Sequence, residues 1–218
     1  MIKTDEQLIA KAKHGTTTIG LMCKDGIVLA SEKRATAGTF VADKKSEKIY
    51  KITDNLLITT AGTVSDAQLL TKLIKAELKL KEVRTDRGVT AKEAANLLAS
   101  LVYGNIRKYS LIPGITQFLL AGTDKEGYHL YDVFVDGSIM ECDEYVSSGS
   151  GSILVYGVLE AMYRKDITVK EGVDLCIKCL NVSMQRDIAS GNGILVYTIA
   201  KDGIKKVVDK DLDTTIKA

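Results

Sequence analysis

Gly15-Thr16-Thr17-Thr18 sets three hydroxyls directly behind a glycine, at the entrance to an apolar, β-branched run over residues 17–23. A threonine hydroxyl is a poor nucleophile unless a base lies beside it, and a threonine that begins its chain supplies that base from its own α-amine. The α-amine has a pKa of about 8, so a useful fraction is unprotonated at neutral pH, which an ordinary lysine does not offer. A cut between Gly15 and Thr16 would therefore turn this stretch into a self-contained nucleophile and base. The new chain end would then stand at the doorway of an apolar strand.

Working outward, residues 17–23 and 27–31 are apolar runs joined by Lys24-Asp25-Gly26, a hairpin signal. Runs 48–52 and 56–61 follow, joined by Thr53-Asp54-Asn55. A helix is predicted over 65–84, with Leu69, Leu70, Leu73 and Ile74 on one face. The next opens at the capping-box spacing Thr90-Ala91-Lys92-Glu93 and carries Ala94, Leu97, Leu98, Leu101 and Val102 at helical intervals. The single proline, Pro113, ends that region with Gly114. Strands are predicted at 117–123, 128–135 and 139–146, then helices at 153–164 and from the capping box Thr168–Glu171 to about 188. A last hairpin, 194–200 and 204–208, turns at Lys201-Asp202-Gly203 before a polar tail. Hairpins rather than crossovers dominate, which favours antiparallel sheets. Two facing sheets with a helix pair on each outer side would bury every apolar face. The expectation is an α+β chain, a four-layer αββα sandwich, with 1–15 as a leader and 16–218 as one domain.

The 218 residues carry 30 basic and 28 acidic side chains, a net charge of +2. That is too small to argue for nucleic acid or an anionic membrane as partner. No apolar run is long enough to span a bilayer. The first fifteen residues scatter Lys3, Asp5, Glu6, Lys11 and Lys13 around a short apolar core, unlike a secretory signal, so the chain is expected in the cytoplasm. Cys23, Cys142, Cys176 and Cys179 make no disulfide framework. Cys176 and Cys179 spell C-x-x-C inside a helical pattern with no second pair nearby, which reads as a core thiol pair rather than zinc or redox chemistry. His14, in the leader, and His129, in a strand, receive no role.

Several ordered motifs resemble the β subunits of the 20S proteasome, the archaeal type especially. They are Gly15-Thr16-Thr17-Thr18, Ala30-Ser31-Glu32-Lys33-Arg34-Ala35-Thr36, Lys48-Ile49-Tyr50 and Ala61-Gly62. Farther on come Ser148-Gly149-Ser150-Gly151-Ser152, Tyr156-Gly157-Val158-Leu159-Glu160, and Gln185-Arg186-Asp187 with Ala189-Ser190-Gly191. The resemblance implies an N-terminal nucleophile hydrolase fold and assigns Thr16 as nucleophile. Lys48 matches the active-site lysine, whose charge would lower the pKa of the freed amine. Glu32 matches its acidic partner, where most members carry Asp. Asp187 and Ser190 match the distal Asp and Ser, and Ser150 the active-site serine, together orienting the amine and a water. Gly62 matches the residue whose N–H faces the oxyanion, and a glycine there admits close substrate approach. An extended peptide would lie between Thr36 and Gly62, with Ala35, Ser46, Tyr50, Thr60 and Val64 lining the pocket for the residue before the cut.

Each residue also has a plainer reading. Lys48 could be a solvated strand residue, Glu32-Lys33-Arg34 a charged surface run, and Asp187 and Ser190 caps of a helix end. The Ser/Gly run 147–152 could be a flexible loop or a phosphate cradle, but it lacks a P-loop lysine and the third glycine of a dinucleotide fingerprint. Ser148, where Thr is commoner, and Ile153-Leu154, in place of a Pro-aromatic pair, depart from the family without touching the chemistry.

The resemblance implies a threonine endopeptidase that hydrolyses unfolded polypeptides with no metal or cofactor, made as a precursor that self-cleaves at Gly15-Thr16. Its expected partners are other β subunits in a seven-membered ring, α-subunit rings and a regulatory unfolding ATPase, since no P-loop lies in this chain. A non-catalytic structural β subunit is the alternative, against which the intact Thr16, Glu32, Lys48 and Asp187 argue. The bacterial two-ring ATP-dependent protease subunit shares the threonine start but lacks the Tyr156–Glu160 stretch.

Overall fold

Alternation along each strand decides the layering. In strand β1 (Thr18–Cys23) and strand β2 (Gly26–Glu32), Ile19, Leu21, Val28 and Ala30 face one way and Ile27 and Leu29 the other, and all are buried. A sheet buried on both faces needs a layer on each side. The computed structural model describes residues 15–213 and supplies both layers. The expectations for leader residues 1–14, for His14 and for the end of the polar tail lie outside the described residues.

Ten further strands follow in chain order: β3 (Ala35–Ala37), β4 (Phe40–Asp43), β5 (Ile49–Lys51), β6 (Leu56–Gly62), β7 (Thr116–Asp124), β8 (Gly127–Val133), β9 (Ile139–Glu141), β10 (Tyr145–Ser148), β11 (Gly193–Ala200) and β12 (Gly203–Asp211). The helices are α1 (Val64–Thr85), α2 (Ala91–Ile106), α3 (Ser152–Met162) and α4 (Val169–Arg186). One antiparallel sheet has the order β10-β1-β2-β11-β12, the other β5-β6-β7-β8-β9, and β3-β4 forms a separate hairpin. Leu29, Leu57, Leu119, Leu130 and Leu195 meet between the sheets. Helices α3 and α4 cover the outer face of the first sheet through Val155, Leu159, Leu175 and Leu180. Helices α1 and α2 cover the second through Leu70, Ile74, Leu78, Leu98 and Val102, packed on Phe118 and Leu120. This is the αββα sandwich expected. Cys176 and Cys179 lie in the first of these outer cores, and burial pushes both thiols up, Cys179 to about 12.

Both capping boxes form: Thr90 Oγ1 accepts from the Glu93 amide at 3.2 Å, and Thr168 Oγ1 from the Glu171 amide at 3.3 Å. Two expectations are corrected, and one element is added. Residues 139–146 are two strands in opposite sheets, not one. The Cys142 amide still donates to Leu130 O (2.8 Å) in the second sheet, whereas Glu144 O already accepts from the Met22 amide (2.7 Å) in the first. The chain changes sheets at the acidic pair Asp143-Glu144. On α1, Leu69 and Leu73 are exposed; the buried stripe is Ala67, Leu70, Ile74 and Leu78. Two apolar stripes lie side by side at helical spacing there, and spacing alone does not choose between them. The β3-β4 hairpin, turning at Gly38, is not announced by the sequence, because both its strands are short and β4 is mostly exposed.

The β7-β8 turn is tied to the helix layer by Asp124, whose carboxylate accepts from the Ala91 amide (3.1 Å) at the start of α2 and from His129 (3.2 Å). The other His129 nitrogen lies 3.0 Å from Glu141 on β9. Burial alone would lower the pKa of His129, but Glu141 and Asp124 outweigh it and raise it above the ordinary imidazole value. A folded pKa above the unfolded value of about 6.5 makes this bridge fully stabilising below that pH, and its contribution is lost as pH rises through the folded pKa. His129→Gln should therefore lower the thermal midpoint more at about pH 5.5 than at about pH 8.5. Equal losses at both would mean that the ring charge contributes nothing.

Candidate active site

Pairing of β1 with β2 sets Thr18 opposite Ser31, so the chain before β1 runs alongside Glu32 at the end of β2. Glu32 is fully buried. Its Oε1 accepts from Thr16 Oγ1 at 2.5 Å and from the Thr17 amide at 3.3 Å, and it is ion-paired with Lys48 Nζ. Its Oε2 accepts from the Arg34 amide at 2.6 Å and the Gly191 amide at 3.1 Å. Lys48 comes from the other sheet, immediately before β5, where its carbonyl accepts from the Thr60 amide at 2.9 Å. Its Nζ also contacts Thr16 Oγ1 and donates to Arg34 O at 2.5 Å. Burial lowers the Lys48 pKa; Glu32 acts in the opposite direction without outweighing it. The longer acidic side chain at 32 thus reaches both the lysine and the threonine hydroxyl.

Asp187 sits at the C-terminus of α4 and its amide donates to Ser183 O at 2.7 Å, so the capping reading holds as far as it goes. Its Oδ2 additionally accepts from Ser150 Oγ and Ser190 Oγ, each at 2.6 Å. Ser150 Oγ is 3.4 Å from the Thr16 carbonyl oxygen, and the Gly151 amide donates to that oxygen at 3.2 Å. The Ser/Gly run is fitted to the Thr16 backbone. Gly149 has φ +91°, and a Cβ there would lie 2.2 Å from the Thr16 carbonyl oxygen. The glycines are plain in the sequence, but that cause is not.

Gly62 closes the far side at the end of β6, with φ +109°. A Cβ at Gly62 would lie 2.1 Å from the Ile115 carbonyl oxygen. The glycine is demanded by neighbouring backbone, whatever the substrate needs. A cavity of about 50 Å³ opens between Gly15, Thr16, Lys48 and Gly62, and Ala35, Ser46, Tyr50, Thr60 and Val64 all line it. Thr36 is buried on β3 beside Ala35 and is not among the lining residues. Arg34, Glu47, Ala67 and Gln68 also line the cavity, so charge lies beside the five uncharged residues expected there. Gln68 follows Val64 by one helical turn on α1, a spacing that could have revealed it.

Chemically, the arrangement gives one buried hydroxyl both a carboxylate and an ammonium of lowered pKa in direct contact, which is the geometry of an activated nucleophile. Among the described residues, no group of three or more His, Cys, Asp or Glu could hold a metal ion, and no helix is long and apolar enough to cross a membrane.

Comparisons with known proteins point to one family. The family model for the proteasome subunit matches residues 12–199. The proteasome subunit beta of Archaeoglobus profundus is 45% identical over 212 residues, covering 95% of this chain and 97% of the relative. That of Methanococcus maripaludis is 44% identical over 204 residues, covering 93% and 91%. That of Archaeoglobus fulgidus is 44% identical over 192 residues, covering 88% of each. The chain belongs to the proteasome subunit family, in which its relatives over most of its length are archaeal β subunits.

Proposed function

We propose that this β subunit is a threonine endopeptidase of the proteasome core, hydrolysing unfolded polypeptides after removing its own leader. The observation that carries the reading is the simultaneous contact of Thr16 Oγ1 with Glu32 Oε1 and Lys48 Nζ beside a cavity. Membership of the family implies assembly with other proteasome subunits. The finer picture proposed is a seven-membered β ring between α rings in the cytoplasm, fed by an unfolding ATPase. Residues 16–218 form the mature domain in this reading, and the reaction needs no metal or cofactor.

In the uncut chain the Thr16 nitrogen is an amide and cannot serve as base. The Glu32–Lys48 pair, whose Glu32 Oε1 accepts from the Thr16 hydroxyl at 2.5 Å, is then in place to take the hydroxyl proton and return it to the leaving nitrogen. Thr16 Oγ attacks the Gly15 carbonyl carbon, the Gly15–Thr16 C–N bond breaks as the C–O bond is retained, and water splits the resulting ester. Gly15 suits this step because a Cβ there would lie 2.2 Å from Ala189 Cβ and 2.5 Å from Ser150 Oγ. The released amine next becomes the base for substrate, oriented with a water by Ser150, Asp187 and Ser190. Lys48 then acts by charge, disfavouring protonation of the amine. The Gly62 N–H stabilises the oxyanion, and the acyl-enzyme is released by water. Substrate lies extended between Thr36 and Gly62, held by main-chain hydrogen bonds that are nearly blind to sequence.

Three outcomes are expected. Thr16→Ala should leave residues 1–15 attached in a purified, protease-free preparation; trimming at the same bond in that variant would rule out self-cleavage. Lys48→Ala should reduce peptidase turnover on the order of 100-fold or more, as loss of a preorganised charge at a reacting centre does, and near-normal turnover would remove Lys48 from the mechanism. A panel of fluorogenic peptides should show a broad preference for apolar and aromatic residues before the cut: Ala35 and Thr60 leave room for large side chains, Arg34 and Glu47 bring charges of both signs to the cavity and so favour neither, and apolar contacts discriminate by only about 1–3 kcal/mol per methylene. Strict cleavage after acidic or basic residues would overturn the pocket assignment and leave the threonine mechanism standing.

A further inference from the structure

The Gly-Thr-Thr-Thr run contains two hydroxyls that the mechanism above leaves idle. Thr17 and Thr18 are both completely buried, and their side chains go to different places. Thr18 Oγ1 pairs with Ser148 Oγ at 2.7 Å. Thr17 Oγ1 lies 2.7 Å from Ser190 Oγ, on the Asp187 side of the site. Hydroxyl bookkeeping gives this second contact a direction. Ser190 has one proton, and it is committed to Asp187 Oδ2 at 2.6 Å. The proton between Thr17 and Ser190 therefore belongs to Thr17, and the chain of donation runs Thr17 to Ser190 to Asp187. Ser150 reaches the same carboxylate oxygen from the other side at 2.6 Å.

Thr17 is also held at both ends of its backbone by the opposite half of the site. Its amide donates to Glu32 Oε1 at 3.3 Å, and its carbonyl accepts from the Glu32 amide at 3.3 Å. Room for the hydroxyl is specific: a Cβ on Gly151 would lie 2.1 Å from Thr17 Oγ1. The residue thus ties the Glu32–Lys48 pair to the Ser150–Asp187–Ser190 cluster, with the nucleophile covalently attached in between.

We infer that Thr17 is a positioning residue, whose hydroxyl, by donating to Ser190, fixes the Ser190–Asp187 pair against the chain segment that carries Thr16. Donation along a chain of hydroxyls strengthens each bond in it. Without the Thr17 proton, the Ser190 bond to Asp187 weakens and the Asp187 charge is less satisfied. A less satisfied carboxylate raises the pKa of a neighbouring amine. The inference rests on the reading of Thr16 as the nucleophile and of the Asp187 cluster as the group that orients its amine.

The test compares wild type, Thr17→Val and Thr17→Ser in the assembled, processed particle, with a fluorogenic peptide as substrate. Thr17→Val keeps the branched shape and removes the donor. It should lower kcat about 10- to 100-fold with KM within about twofold, the scale expected of a slightly misplaced catalytic group. It should also move the acid limb of the kcat profile to higher pH, and Thr17→Ser should restore both. Wild-type kcat and pH profile in Thr17→Val would overturn the inference, as would equal impairment of Thr17→Ser, which would assign the role to the side chain's shape. If Thr17→Val does not assemble, Thr17→Cys, a weak donor of similar size to serine, must show the same two changes or the inference fails. An inactive wild-type particle would instead contradict the proposed function, so the two failures are distinguishable.

Discussion

Glu32 and Lys48 form an ion pair withdrawn from water, and the two side chains come from different sheets. Burying opposite charges is tolerated only when the geometry is good and the remaining polar atoms are satisfied, and removing one partner leaves the other uncompensated at a cost of about 3–5 kcal/mol. Here both carboxylate oxygens are used, by Thr16, Thr17, Arg34 and Gly191, and the ammonium is shared with Thr16 and Arg34 O. The pair pins the ends of the two sheets together. Thr16 occupies the seam, which is why its hydroxyl is in contact with both charges.

The rest of the site is attached to that seam by neighbours in sequence. Lys33 sends its ammonium away from the cavity to Asp209 and Asp211 on β12, while its amide donates to Gly191 O at 3.2 Å. Arg34 donates to Ile188 O at 2.8 Å and to Asn192 at 2.7 Å, holding the loop that carries Ser190. Three consecutive charged residues thus secure the second sheet, the last strand and the loop after α4. Preorganisation of this kind lets fixed charges act without rearranging at the moment of reaction.

Much of the fold was legible because its punctuation is local. Hairpin turns such as Lys24-Asp25-Gly26 and the boxes at Thr90 and Thr168 name their structure within four residues. Features that depend on distant partners were hidden. The change of sheet after Cys142 is decided by Leu130 and Met22, and the choice of Leu70 over Leu69 by what α1 packs against. Glu32-Lys33-Arg34 reads as a surface run because the sequence does not show that each charge has a buried or distant partner. Gly62 and Gly149 stand out in the sequence, but the carbonyls that exclude a Cβ there belong to Ile115 and Thr16. The identities of the candidate site residues came from many ordered motifs matched together, and no one spacing would have assembled them. Glu47 escaped because the pocket draws on separate elements that only folding brings together, whereas Gln68 is legible one helical turn after Val64.

The central claim is that Thr16 becomes the first residue of the working chain and carries the acyl group during turnover. Acid quenching of the assembled particle during hydrolysis of an activated peptide ester, followed by peptide-mapping mass spectrometry, tests both parts at once. The account predicts an N-terminal fragment that begins at Thr16 and bears one acyl group on it. An actively turning-over particle whose acyl group sits on another residue, or whose chains retain Gly15, would contradict it.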